Sequence, residues 1–302
     1  MKKILLPTCG ILLLLLLLLV GTAYGVFRYV TKPPPRPDVP PRVVRSFDEA
    51  QSRMTTLVES SENMTLRMLG ETDAWPLIML SFSPDVPANH RVLLTGGVHG
   101  NEPAGTEALL QFAATLALGD VECQDTAFDI VPIVNPWGWE RHRRRTGEHI
   151  DLNRDFATFA GRETVIMRDL CARESYDLMV DLHEDSHVMG FYFYRLAHPG
   201  EALCRHVIDR VRDTGHPIHD GRVSRIFRAR DGVISCAMWS LRLARATEQL
   251  SVSNYFRLQG CPQSFLFESP SRLPLEERVA MHLAALDALL EQCFCEKMTS
   301  GS

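Results

Sequence analysis

Two histidines and a glutamate are spaced so that they could bind one metal ion. His99 and Glu102 lie three residues apart, after an apolar run and a Gly-Gly pair and before a proline, a pattern typical of a tight turn between a strand and a helix. His183 ends a second apolar run and would supply a third ligand. Catalytic zinc sites use three protein ligands and leave a fourth position for water, so the pattern predicts one catalytic Zn²⁺ per chain. Asp181, two residues before His183, is placed to accept the hydrogen of the other ring nitrogen.

A further carboxylate is suited to move protons beside such a metal. Glu268 ends the apolar run Ser264–Phe267 and is followed by Ser-Pro. A carboxylate close to a metal can take a proton from water and pass it to a leaving amine. We therefore predict that Glu268 is the general base of a hydrolase. The alternative is a structural role beside a helix N-terminus.

A positively charged segment could anchor the substrate. Residues 141–145 read Arg-His-Arg-Arg-Arg, and the motif Asp-Leu-Asn-Arg follows at residues 151–154. The planar guanidinium group of arginine suits a carboxylate or a developing oxyanion, so we interpret this segment as the wall of a substrate site. A nucleic-acid patch is the alternative. The net charge of −5 and the pI near 6.1 argue against nucleic acid as a partner and give no general reason to expect an anionic membrane.

The elements that must position these residues alternate between strand and helix. Short apolar runs predict strands at Leu77–Phe82, Val92–Thr95, Asp129–Val134, Leu178–Leu182, Phe191–Tyr194 and Ser264–Phe267. Helical periodicity predicts helices at Ala104–Ala117, Arg162–Arg173, Glu201–Asp213, Ser235–Gln249 and Pro274–Phe294. The alternation indicates a single α/β domain with a mixed, largely parallel central sheet covered by helices on both faces. Such sheets bind ligands beyond the carboxyl ends of their strands, where the candidate residues lie.

The N-terminal part of the chain differs in composition from the rest. Lys2 and Lys3 precede a long apolar stretch, Ile4–Val30, and a proline-rich run follows. The stretch is typical of an export signal, either a signal peptide that is cleaved or a transmembrane anchor that stays uncut and attaches the protein to the membrane. We expect three parts, namely residues 1–30 as this signal or anchor, 31–43 as a semi-rigid linker and 44–296 as the catalytic domain. The domain would be exported to the periplasm or to the outer face of the inner membrane.

In their order along the chain, five motifs resemble those of the zinc metallocarboxypeptidase family, which includes carboxypeptidase A and the murein peptide amidases. The motifs are Gly-Val-His-Gly-Asn-Glu at 97–102, Asn-Pro at 135–136, Asp-Leu-Asn-Arg at 151–154, Asp-Leu-His at 181–183 and Phe-Glu-Ser-Pro at 267–270. The likeness runs from about Leu77 to Leu290. It implies the zinc carboxypeptidase fold, with His99, Glu102 and His183 as zinc ligands.

The resemblance also implies roles around the metal. It implies that Glu268 is the general base and that Asn153 and Arg154 hold the terminal carboxylate of a peptide or peptidoglycan-derived substrate. An arginine seven residues before the Asp-Leu-Asn-Arg motif, here Arg144, would stabilise the oxyanion of the tetrahedral intermediate. Arginines also stand on either side of Arg144, so the spacing alone leaves this choice open.

Three functions are compatible with these motifs. The first is a metallocarboxypeptidase that cleaves a C-terminal peptide bond. The second is a zinc deacylase of the aspartoacylase and succinylglutamate desuccinylase type, although those relatives carry a β-rich region after the catalytic glutamate, whereas the segment after Glu268 has a helical pattern. The third is an inactive, membrane-anchored binding domain. Such a domain would be expected to have lost a ligand or the base, and this chain contains all four residues.

Overall fold

The computed structural model describes Gly10 and residues 13–15, 17–22, 44–73, 75–119, 123–196 and 200–294. The chain divides into two compact units, Met1–Pro41 and Arg42–Ser302, and the described residues of the first unit are helical. Across the described parts of both units, no helix is both long and apolar enough to span a bilayer. The predicted linker, residues 31–43, and most of the predicted signal or anchor lie outside the described residues.

The second unit contains alternating strands and helices. The helices are α1 (Phe47–Glu59), α2 (Pro103–Ala117), α3 (Pro136–Arg141), α4 (Leu152–Asp155), α5 (Arg162–Arg173), α6 (Glu201–Asp213), α7 (Met238–Ala246), α8 (Val252–Leu258) and α9 (Leu275–Phe294). The strands are β1 (Met64–Glu71), β2 (Pro76–Phe82), β3 (His90–Gly96), β4 (Thr126–Val131), β5 (Leu178–Asp185), β6 (Tyr192–Arg195), β7 (Gly221–Arg222), β8 (Arg228–Ala229), β9 (Val233–Ser235) and β10 (Gln263–Pro270).

Within the described residues, eight strands form one sheet in the order β1-β2-β4-β3-β5-β10-β6-β9, and β7 pairs with β8 in a separate hairpin. Pairing is parallel through β4, β3, β5 and β10 at the centre and between β6 and β9 at one edge. It is antiparallel between β1 and β2, between β2 and β4, and between β10 and β6. The predicted α/β fold with a mixed, largely parallel central sheet is confirmed.

Each face of the sheet has its own apolar core, because successive side chains of a strand point to opposite faces. On β3, Val92 and Leu94 belong to a core that includes residues of α1, α2, α6 and α9. Leu93, between them, belongs to a second core with residues of α5 and α8. Helices therefore cover both faces, as predicted, and the covered strands hold their carboxyl ends in fixed positions.

Element boundaries follow the sequence pattern where one face is buried. The helices Arg162–Arg173 and Glu201–Asp213 have the predicted limits. The predicted helix Ser235–Gln249 is shorter and covers only α7, because residues just before it join the sheet as β9. Strand β1 was not predicted, although apolar and polar residues alternate from Met64 to Met68; it lies at the sheet edge, and Met64 is its one buried residue.

Glu163, in the first turn of α5, is buried although it is acidic. Burial, with the nearby carboxylates of Asp73, Glu148 and Asp155, raises its pKa from 4.5 to about 7. In the unfolded chain the same group ionises near the ordinary value of 4.5. Protonated Glu163 therefore contributes stability that is fully present below pH 4.5 and is lost as the pH rises through about 7.

We expect Glu163→Gln to remove this pH-dependent loss. Relative to the wild type, the free energy of unfolding of the variant should rise by about 2–3 kcal/mol between pH 4.5 and pH 7. Denaturant unfolding at a series of pH values measures this difference. Glu201→Gln is the control, because Glu201 also lies in a first helical turn but is exposed. A difference that does not change with pH would contradict the prediction.

Candidate metal centre

The turn between β3 and α2 brings His99 and Glu102 to the carboxyl end of β3. Gly97 has a φ of 60°, in the left-handed region that favours glycine, so the chain can leave the strand sharply. Gly100 lies against the backbone of Gly138, where an added Cβ atom would be 1.9 Å from a carbonyl carbon. Glu102 is the N-cap residue of α2 and is followed by a proline, so the helix begins directly after it.

His183, on β5, completes a three-residue group. Oε1 of Glu102 lies 2.7 Å from Nδ1 of His99, and Oε2 of Glu102 lies 2.7 Å from Nδ1 of His183. One possible ligand atom from each residue lies within 4.8 Å of the others, and all three residues are buried. Two imidazole nitrogens and a carboxylate at this separation fit a divalent metal ion, and this donor set suits zinc. The three ligands predicted from the sequence are thus brought together.

Each histidine is held through its second ring nitrogen by an aspartate. Nε2 of His183 lies 2.7 Å from Oδ2 of Asp181, and Oδ1 of Asp181 accepts a 2.7 Å hydrogen bond from the hydroxyl of Thr95. Nε2 of His99 lies 3.2 Å from Oδ1 of Asp151. Metal-binding histidines commonly have such a carboxylate on the far nitrogen. The contacts direct both Nδ1 atoms toward Glu102.

The buried charges of this group compensate one another. Burial alone would raise the pKa of Glu102, but His99 and His183 hold that pKa well below its ordinary value. Burial would likewise lower the pKa of His183, but Asp181 and Glu102 raise it well above its ordinary value. Glu102 is therefore a carboxylate, which is the form that binds a metal.

Asp181→Asn is expected to weaken zinc binding about 10–100-fold, because the ring of His183 loses its charged acceptor while the side-chain volume is unchanged. Competition with a chelator measures the affinity, and circular dichroism checks that the variant is folded. Thr95→Val removes only the hydroxyl that donates to Asp181 and should have a smaller effect. An unchanged zinc affinity in Asp181→Asn would show that this aspartate does not orient the histidine.

Glu268 lies on β10, the neighbour of β5, in register with His183. The residue is partly exposed, but its Oε2 atom is buried and has no hydrogen-bond partner among the residues that the structure describes. Burial raises the pKa of Glu268 well above its ordinary value, and Glu102 and Asp185 raise it further, while His183 and Arg144 act in the opposite direction. A carboxyl group with a raised pKa and an oxygen that lacks a partner among the described residues is suited to exchange protons with a bound molecule.

Within the segment 141–145, Arg144 is directed at the ligand group. Its Nη1 atom lies 3.2 Å from Nδ1 of His99 and 3.6 Å from Oε1 of Glu102, and its Nε donates to Asp151 over 3.0 Å. Arg145 donates to the backbone carbonyl of residue 149, and its Nη2 atom lies 3.9 Å from Oδ2 of Asp151. The contacts therefore favour Arg144 in the choice that the sequence left open.

The Asp-Leu-Asn-Arg motif contains the N-cap residue and the first three residues of α4 and lies beside the same group. The amide nitrogen of Asn153 is 3.2 Å from Nε2 of His183, and its amide oxygen accepts a hydrogen bond from the backbone of Val252. Asn153 is buried, whereas the side chain of Arg154 is exposed and donates to the carbonyl of Asn153. Asn153 thus joins the group, and Arg154 lies at its exposed side.

Two acidic residues of the site carried no prediction. Asp151 accepts hydrogen bonds from His99 and Arg144, and its position at the start of the Asp-Leu-Asn-Arg motif is a signal that could have revealed it. Glu184 accepts a hydrogen bond from the first residues of α2 and pairs with Arg278. These partners of Glu184 are 80 and 94 residues away along the chain, so no local pattern indicates them.

Known proteins resemble parts of this chain. Residues 88–219 match the family model of the succinylglutamate desuccinylase/aspartoacylase catalytic domain. Over 172 residues the chain is 31% identical to Carboxypeptidase 2 of Trichophyton tonsurans, an alignment that covers 48% of this chain and 31% of that protein. The chain thus spans only about a third of the length of this curated relative.

Solved structures share the fold. A proposed metallopeptidase of Shewanella amazonensis SB2B has a TM-score of 0.71 at 21% identity, with 85% of this chain and 100% of that chain covered. A metallo-carboxypeptidase of Burkholderia cenocepacia has a TM-score of 0.61 at 19% identity, with 82% of this chain and 68% of that chain covered. The resemblance predicted from the ordered motifs is confirmed by these similarities taken together.

Proposed function

We propose that this chain, whose fold and ordered motifs are those of the zinc metallocarboxypeptidase-like proteins, hydrolyses a C-terminal peptide bond in a peptide or a cell-wall stem peptide outside the cytoplasm. One observation carries the proposal. The partly exposed Glu268, whose Oε2 lacks a partner among the described residues, lies in register with His183 of the buried His-Glu-His group. A proton acceptor and a metal-binding group therefore adjoin at the end of neighbouring strands.

The residues of the chain divide the work of hydrolysis. His99, Glu102 and His183 would hold a divalent ion, which supplies Lewis-acid chemistry when bound. Glu268 accepts a proton from the attacking water and delivers it to the nitrogen of the leaving amine as the carbon–nitrogen bond breaks. Arg144, whose side chain is partly exposed, reaches the ligand group and stabilises the negative charge that forms on the carbonyl oxygen.

Recognition of the substrate terminus is assigned to the Asp-Leu-Asn-Arg segment. The exposed guanidinium of Arg154 can form a charge-assisted hydrogen bond with a terminal carboxylate, and Asn153 adds an amide donor close to His183. This assignment distinguishes an exopeptidase, which needs a free carboxylate in its substrate, from an endopeptidase.

A second candidate function is the deacylation of an N-acylated amino acid. It is supported by the match of residues 88–219 to the desuccinylase/aspartoacylase catalytic domain, a segment that includes the three ligand candidates but not Glu268. Both reactions hydrolyse an amide bond next to a carboxylate, so the ligand group alone does not separate them.

The deciding experiment measures metal content and product formation on the full-length chain. The substrates are an L-peptide, a murein tripeptide and tetrapeptide, and an N-acylated amino acid, each tested with and without prior removal of metal by a chelator. Release of a C-terminal residue that requires metal supports the carboxypeptidase. Cleavage of the acylated amino acid alone supports the deacylase. A protein that binds zinc but cleaves none of these substrates would contradict both functions.

A further inference from the structure

The segment Gly221–Ala246 has a charge opposite to that of the whole chain. It contains six arginines and one aspartate, in a chain whose net charge is −5. The arginines are Arg222, Arg225, Arg228, Arg230, Arg242 and Arg245. The aspartate, Asp231, pairs with Arg212 outside the segment, over 2.6 Å. Within the part of the chain that the structure describes, none of the six arginines has an ion pair.

The hairpin of β7 and β8 carries three of these six arginines, and a fourth, Arg230, directly follows it. Arg222 and Arg228 are exposed and lie directly opposite each other in register. Like charges in this position destabilise a two-stranded ribbon, so the arrangement does not serve the stability of the hairpin. The inner face of the hairpin packs on the domain, where Ala229 is buried and the ring of Phe227 lies 5.4 Å from the ring of Tyr194. The arginine-bearing face is left to solvent.

Large apolar side chains are exposed among these arginines. Ile226, in the hairpin turn, is 81% exposed, and Trp239 and Leu243 of α7 are 70% and 54% exposed. Trp239 and Leu243 are four residues apart and therefore share one side of the helix, with Arg242 beside them. Strand β8 of the hairpin contacts β9, and α7 begins three residues after β9 ends, so both elements lie at the β9 edge of the sheet.

We propose that the hairpin and α7 form a docking surface, here called the arginine surface, for the headgroup region of a bilayer that contains anionic phospholipid. Arginines are attracted to anionic headgroups, and tryptophan and aliphatic side chains insert at the interface. A hydrophilic polyanion would account for the arginines but not for the exposed Ile226, Trp239 and Leu243. A bilayer accounts for both.

Docking of the arginine surface would hold the candidate metal centre close to the membrane. Phe227 of the hairpin contacts Tyr194 on β6, and β6 is the neighbour of β10, which carries Glu268. The surface therefore borders the strands of the site. This inference concerns where the domain works and does not depend on which amide bond it cleaves.

Trp239 provides a local probe of the arginine surface, so the test can use the whole chain, residues 1–302. The protein is mixed with vesicles of brominated phosphatidylcholine, with or without phosphatidylglycerol. Bromine quenches tryptophan fluorescence, and the signal is the part of this quenching that is present in the wild type and absent in Trp239→Phe. We expect quenching on vesicles with phosphatidylglycerol, little on phosphatidylcholine alone, and a decrease at high salt.

The paired change Arg222→Gln with Arg228→Gln should weaken this docking about 30-fold. The matched control is Arg168→Gln with Arg173→Gln on α5, which should leave the docking unchanged. Circular dichroism checks that every variant is folded. Equal quenching on both vesicle types, no quenching on either, or quenching that the hairpin pair does not alter would overturn the proposal. A change in Trp239 fluorescence on addition of polyglutamate, without a change on addition of vesicles, would also overturn the proposal. It would indicate an acidic polymer as the ligand.

Discussion

Glu268→Gln is expected to lower kcat about 10²–10⁴-fold, the usual contribution of a positioned general base. Glutamine keeps the size and shape of the side chain but cannot accept the proton of the attacking water. The metal-binding group is formed by other residues, so zinc content should remain that of the wild type. Steady-state kinetics on the best substrate and metal analysis of the same preparation measure both quantities.

The stability of this variant gives an independent check. Burial raises the pKa of Glu268, which means that its ionised form is unfavourable in the folded protein. Replacement by a neutral amide should therefore leave the free energy of unfolding unchanged or raise it near neutral pH. Glu268→Asp, which keeps a carboxyl group but shortens its reach, should retain more activity than Glu268→Gln. A residue outside the reaction would change kcat by less than about tenfold. If Glu268→Gln keeps kcat within that range of the wild type, Glu268 is not the base.

Glu102→Gln is expected to remove most of the bound metal and, with it, the activity. Glu102 supplies the one negative charge of the ligand group and contacts both histidines through its two oxygens. Its amide replacement fills the same volume but offers a single neutral oxygen. In the wild type, zinc at about 1,000-fold above its Kd should stabilise the fold by about 4 kcal/mol. Glu102→Gln should lose this zinc-dependent shift, which thermal unfolding with and without zinc measures.

Glu107→Gln provides the matched control, because Glu107 also belongs to the start of α2 but forms a surface ion pair with Arg53. It should bind zinc like the wild type. A wild-type protein whose unfolding temperature does not respond to zinc, or a Glu102→Gln variant that responds as strongly as the wild type, would contradict the metal centre. The thermal readout does not require that the substrate be known.

The candidate ligands could be predicted because their signals are local. His99 and Glu102 stand three residues apart in a strand-to-helix turn, and His183 and Glu268 end apolar runs that become β5 and β10. The limits of α5 and α6 could likewise be predicted, since each buries one face and the helical period is visible in a short window. Strand β1 was missed although apolar and polar residues alternate from Met64 to Met68, a local signal that could have revealed it.

Residue types and short-range spacing therefore determined the fold class and the chemical identity of the site. Only the tertiary structure decided which groups surround the ligands. His183 meets Glu102 across 81 residues of chain, and His99 meets Asp151 across 52. The register that sets Glu268 beside His183 depends on the pairing of two distant strands, and a local pattern contains no information about such pairing. The same holds for Arg144, whose selection among neighbouring arginines depends on its contacts with His99 and Glu102.

The tertiary structure also decides how charge is distributed over the surface of the protein. The net charge of −5 describes the whole chain and gave no reason to expect an anionic surface as a partner. Folding places Arg222 opposite Arg228 on a hairpin whose apolar face is packed against the domain, so the positive charge is turned outward. Composition sums charges irrespective of position, whereas an interaction with a membrane depends on which charges share one surface, and only the packing of the hairpin decides that.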